Sequence, residues 1–69
     1  MNLLTPREIE VIELIMQGYE SKEVGVALEI SKRTVDFHLA NVMDKLRANN
    51  RVTMILAYQR WIALNRAIK

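Results

Sequence analysis

Residues 21 to 46 read "SKEVGVALEISKRTVDFHLANVMDKL", and this stretch holds two helices with a tight break between them. The first is short, from about residue 21 to 28, with Val24, Ala27 and Leu28 on one side. Ser31 is a good N-cap for the second, and Ile30 with Val35 has the spacing of a hydrophobic staple. Val35, Leu39, Val42 and Leu46 then recur at helical spacing, a narrow apolar stripe on a helix from about 32 to 46. Two helices joined by so short a turn suit a helix-turn-helix unit, which needs a small residue where the helices approach and apolar side chains that lock their angle. Gly25 supplies the first; Val24, Leu28, Ile30 and Val35 supply the second. A glycine inside a helix costs about 1 kcal/mol relative to alanine, so close approach is the reason to keep it.

The side opposite the apolar stripe holds Arg33, Asp36, Phe37, Ala40, Asp44 and Arg47. An exposed Phe among charges is an odd surface for a helix with only structural duties. It is the first sign of a functional face.

Outward from this unit, "LLTPREIEVIELIMQG" carries Thr5 as N-cap, Pro6 at the first helical position and Glu8 to complete a capping box. Leu4 and Ile9 can staple it, Ile9, Ile12 and Met16 repeat helically with Val11 and Ile15 beside them, and Gly18 is a stop. This predicts a helix over about 6 to 17. After "RANNR", where Asn49 and Asn50 are both cap candidates, a last helix is expected over about 51 to 66. No strand alternation or repeat occurs, so the expected class is all-α with four helices in a single domain, residues 1 to 69.

Composition bounds the function. A 69-residue domain buries only about 60% of the surface of its unfolded chain. With no cysteine it has no disulfide or thiolate metal site to brace it. No apolar run approaches the roughly 18 residues of a membrane span, and "MNLLTPRE" lacks the character of a signal peptide. A cytoplasmic protein is expected. The net charge is only +2, but all six glutamates lie between Glu8 and Glu29, so the second half is the basic half.

Catalysis finds no support. His38 is the only histidine, too few for a metal site or a catalytic pair, and is read as a packed core residue. Glu8, Glu10 and Glu13 are read as solvent charges or ion-pair partners, for example of Lys45 or Arg51, in surroundings that leave their pKa values alone. No phosphate loop, nucleophile elbow or metal spacing occurs, so no enzyme, cofactor or metal is expected. Anion binding is different. "SKRT" places Ser31, Lys32, Arg33 and Thr34 at a helix N-terminus, where backbone N–H groups and cations can meet a phosphate, with Lys22 and Arg51 as weaker candidates.

Leu4-Thr5 with Arg7-Glu8, Gly18, Lys22-Glu23, Leu28 with Ile30-Ser31, Thr34-Val35 with His38, Lys45-Leu46 and Asn50-Arg51 together resemble the LuxR/GerE-type helix-turn-helix domain of bacterial transcription regulators. The resemblance runs from Leu4 to about Ala63, and the Phe37-His38 pair looks like the quorum-sensing branch. It implies that helix three enters the DNA major groove and that helix four makes a dimer. Asp36, Phe37 and Ala40 would then face the bases, Asn41 would join the DNA-binding set, and Arg33 and Thr34 would lie near phosphates or the groove edge.

Two positions depart from the pattern. Family members often carry Lys where Asp36 and Ala40 stand, and Asp36 repels phosphate. Glu20 replaces the usual small cap of helix two, so a weaker cap is expected there. Family members also carry an N-terminal sensor. None is present in these residues, which suits either a free-standing domain or a piece of a larger regulator.

The expected function is sequence-specific binding of double-stranded DNA, at an inverted repeat, by a homodimer. On helix four, Val52, Ile55, Leu56 and Ala63 form one apolar stripe, expected to pack on the other helices. Met54, Ala57, Tyr58, Trp61, Leu64 and Ile68 form a second, expected to be the dimer interface, the alternative being that Trp61 and Tyr58 fold back onto the monomer core. The rival reading is an interaction protein that pairs through helix four with another LuxR-type regulator and blocks it.

Overall fold

Local capping starts each helix. The computed structural model describes residues 4–67, the side chains of residues 66 and 67 excepted, and contains α1 (Pro6–Met16), α2 (Ser21–Leu28), α3 (Lys32–Leu46) and α4 (Arg51–Ala67). At α1 the Glu8 N–H donates to Thr5 Oγ1 at 3.1 Å, and the Thr5 N–H donates to Glu8 Oε1 at 2.9 Å. Gly18, at φ 101°, closes the helix one residue earlier than expected. At α2 the Glu20 N–H donates to Glu23 Oε1 at 2.8 Å, so a carboxylate one turn into the helix reaches back to the backbone of its N-cap residue. Ser31 accepts the Thr34 N–H at 3.0 Å. Of the two asparagines before α4, Asn50 is the cap: its Oδ1 accepts the Thr53 N–H at 2.9 Å.

The turn between α2 and α3 explains Gly25. Glu29 adopts a left-handed conformation at φ 59°, and the Ile30 N–H returns to the Gly25 carbonyl at 2.9 Å. A Cβ on Gly25 would lie 2.6 Å from the Ile30 carbonyl oxygen. The chain can fold back over α2 only because that atom is missing. Placing Glu29 in the left-handed region costs about 1 kcal/mol, offset by the packing that the reversal permits.

α3 lies against each of the other three helices. Leu4, Val11, Ile12 and Ile15 meet Val24, the expected stripe Val35, Leu39 and Val42, and then Met54 and Tyr58 from α4. Ser21, Val24 and Gly25 are the buried residues of α2, and Ala27 is exposed, contrary to expectation, because eight residues pack only along one line.

Helix four is rotated from the expected phase. Met54 is 0% exposed and Tyr58 1%, so both belong to the monomer core and neither can form a dimer surface. Val52, Leu56 and Ala63, expected inside, are exposed, and Ile55 is half-buried. The physical reason lies far along the chain: Tyr58 buries its ring and donates its hydroxyl to Glu13 Oε2 on α1 at 2.6 Å. Ala57 and Trp61 are half-buried, Trp61 stacking on Tyr58 with ring centroids 5.7 Å apart, while Leu64 is exposed. Ile68 lies outside the described residues.

Glu8 has the ion-pair partner the sequence offered, but in a buried setting rather than an exposed one. It is 4% exposed, and Lys45 Nζ donates to its Oε1 at 2.8 Å, joining α1 to the end of α3. Burial pushes its pKa up, but the Lys45 hydrogen bond, the Thr5 N–H and the Lys45 charge together hold it below its ordinary value. A depressed folded pKa means stability that is present above the ordinary value of 4.5 and lost as pH falls through the folded one. Glu8→Gln should therefore melt lower than the parent near neutral pH, by about 2 kcal/mol. The gap should close as both are acidified below pH 4.5. Thermal melts across pH check this, and a gap independent of pH would show that the ion pair is not its source.

Candidate nucleic-acid interface

The outer side of α3 presents Arg33, Asp36, Phe37, Ala40, Asp44 and Arg47 to solvent, with Phe37 63% exposed. Thr34 and Asn41 are half-buried at its edges, while Ser31 and Lys32 are exposed at its start. His38 is half-buried rather than sealed in the core, its ring edge-on to Phe37 at 5.9 Å. Phe37 is thus supported from beneath while its outer face stays open.

The helix start is well ordered chemically. Beyond the cap bond, the Ser31 and Thr34 hydroxyls lie 2.9 Å apart, sharing one hydrogen bond. The first turns of α2, α3 and α4 meet at one shallow cleft lined by Glu20, Ser21, Lys22, Lys32, Asp36 and Arg51. Lys22, Lys32 and Arg51, separate in sequence, come together there. Arg33 points elsewhere on α3 and does not line the cleft.

A network inside this cleft was only half visible in the sequence. Lys32 Nζ donates to Asp36 Oδ2 at 2.8 Å, one helical turn apart. Ser21, at the buried start of α2, lines the same cleft beside Asp36. The Lys32 hydrogen bond, then the nearby Ser21 hydroxyl, then the charges of Lys32 and Arg51 hold the Asp36 carboxyl below its ordinary pKa. The spacing of Lys32 and Asp36 announces their pairing. Nothing local announces Ser21.

Among the described residues no three His, Cys, Asp or Glu side chains are grouped to hold a metal ion. No helix of the described residues is long and apolar enough to cross a membrane.

A short helix, a left-handed turn closed over a glycine and a second helix with an exposed polar and aromatic face define a helix-turn-helix domain. Residues 2–58 match the model of the family described as bacterial regulatory proteins, luxR family, and the chain belongs to that family. It is 38% identical over 56 residues to the transcriptional regulatory protein DegU of Brevibacillus brevis, covering 81% of this chain and 24% of DegU. The solved structure of the transcription factor GerE superposes with a TM-score of 0.82 at 36% identity, covering 88% of this chain and 91% of that one. The DNA-binding domain of the response regulator ComA, solved in complex with the anti-activator RapF, superposes with a TM-score of 0.79 at 30% identity, covering 83% and 98%. These relatives are regulators rather than enzymes, and they support the family without singling out its quorum-sensing branch. The chain spans about a quarter of the length of DegU.

Proposed function

We propose that the chain is a cytoplasmic transcription-regulator domain that binds double-stranded DNA, inserting α3 into the major groove. The observation that carries this is the outer face of α3: an exposed Phe37 and the cation Arg33 project from a helix whose other side is wholly engaged in the core. Ser31, Lys32, Arg33 and Thr34 would meet phosphate at the helix start, with Lys22 and Arg51 beside them. Asp36, Phe37, Ala40 and Asn41 would face the bases. A homodimer through the outer side of α4 would set two copies of α3 into successive major grooves about 34–36 Å apart, so the site would be an inverted repeat. Of the residues first assigned to that interface, Leu64 remains on the exposed side and Ala57 and Trp61 lie at its border, while Val52 and Leu56 replace Met54 and Tyr58.

A second reading, a domain that pairs with another regulator and inhibits it, draws on Asp36, which occupies Lys32 and weakens the pull on phosphate. Titration of a mixed-sequence duplex at rising salt separates the two. The DNA-binding reading expects log K to fall linearly with log salt, with a slope of about 0.9 per phosphate neutralised. Arg33→Ala should weaken binding roughly fivefold and flatten the slope by about one phosphate, without changing the melting temperature. No binding at low salt would sink the reading, and normal binding by Arg33→Ala would remove that residue from the interface.

A further inference from the structure

We infer that the groove between the end of α3 and the outer side of α4 is a docking site for an acidic amphipathic helix of a partner protein. The inference goes beyond the DNA-binding reading and does not depend on it.

Shape comes first. A hollow of about 260 Å³ that reaches Leu56 continues into one of about 270 Å³ that reaches Leu64, and both share Leu46, Arg47, Ala57 and Arg60. Each is open to solvent and smaller than the roughly 300–1,000 Å³ of a pocket that encloses a small molecule. The groove suits a surface laid along it. Its α4 wall follows Leu56, Ala57, Arg60, Trp61 and Leu64, one helix face about 12 Å long, which is the surface a partner helix reads through apolar residues on successive turns.

Charge then selects the partner. No carboxylate lines the groove, and among the described residues neither Arg47 nor Arg60 is in an ion pair, whereas Lys45 at its edge is already bound to Glu8. Both guanidiniums are exposed beside half-buried Leu46, Ala57 and Trp61. Carboxylates fit the rim and apolar side chains the floor. A phosphate backbone would answer the cations but not the floor, and α4 of a second copy has no acidic residue to offer. The groove shares Leu56 and Leu64 with the proposed dimer face, so a docked helix would compete with that second copy. Salt should weaken the acidic partner while strengthening the dimer.

Arg47 carries a further sign. It ends α3 at φ 57°, a left-handed position usually taken by glycine, so its side chain stands at this corner against backbone preference. Arg47→Gly should therefore raise the melting temperature while weakening the partner. An arginine with only a structural role would not give those opposite signs.

Trp61 is the only tryptophan, and its emission reports on the groove. The test selects from a randomised, tryptophan-free library of peptides about 14 residues long, roughly four helical turns, and titrates the winner into the parent, Arg47→Gly, Arg60→Ala, the double variant and Arg33→Ala. Selected peptides should carry Asp or Glu beside apolar residues at helical spacing and shift Trp61 emission to the blue at saturation. Arg47→Gly and Arg60→Ala should each weaken binding roughly threefold, and together about tenfold, while Arg33→Ala binds as the parent does. No enriched sequence, enrichment of basic or uncharged ones, saturation without a change at Trp61, or a double variant that binds like the parent would overturn the inference. So would a tenfold loss of affinity for mixed-sequence duplex in the double variant, because the two cations would then belong to phosphate.

Discussion

Gly25→Ala should remove most of the domain's stability, although alanine is the better helix former by about 1 kcal/mol. The new methyl carbon would sit 2.6 Å from the Ile30 carbonyl oxygen and 3.4 Å from Lys32 N and Ser31 C. All three are backbone atoms of the turn, so no side chain can swing aside. Relief requires moving the turn away from α2, which would break the Ile30 N–H bond to the Gly25 carbonyl and displace Val24 from the core. Overpacking against backbone of this kind costs about 3 kcal/mol. A domain this small, with no disulfide or bound metal, has only about 3–5 kcal/mol in total. Circular dichroism during a denaturant titration checks the result. An alanine variant as stable as the parent would show that the turn has slack the structure does not display.

The same residue shows what a sequence can reveal. A glycine placed against helix propensity, six residues before the Ser31 cap, announces a close approach even though its partner atom is unknown. Helix starts are equally legible because their hydrogen bonds span three or four residues: Thr5 with Glu8, Ser31 with Thr34, Asn50 with Thr53. The larger misreadings involve partners distant in sequence. Lys45, 37 residues on, was among the ion-pair partners the sequence offered Glu8, but the burial of that pair was not legible. The phase of α4 was set by Tyr58 reaching Glu13, 45 residues back. Both α4 stripes were apolar enough to be core, so periodicity alone could not choose between them. In the candidate interface, the outward face of α3 followed from its stripe of core residues, and the Lys32–Asp36 pair from its spacing. Ser21 beneath Asp36 required the crossing of two helices.

The corrected phase of α4 changes where the proposed dimer should be attacked. Trp61 is a poor target, since it stacks on Tyr58 and its removal would disturb the core. Leu56, 54% exposed, is a clean one. Leu56→Glu should fold with a melting temperature close to that of the parent, sediment as a monomer and lose on the order of 100-fold in affinity for an inverted repeat, because the second half-site is no longer delivered by a tethered copy. Affinity for a single half-site should be unchanged. The stripe has a further property: α4 carries no acidic residue, and Arg60 is exposed between Leu56 and Leu64. Two copies meeting through this face would bring like charges together with no carboxylate on either helix to pair them. Salt screens that repulsion, so dimerisation of the free protein should strengthen as salt rises, while DNA binding weakens. Sedimentation equilibrium at low and high salt, run beside the duplex titrations, reads both trends. A Leu56→Glu chain that still dimerises, or a dimer that loosens in salt, would remove the outer side of α4 from the interface.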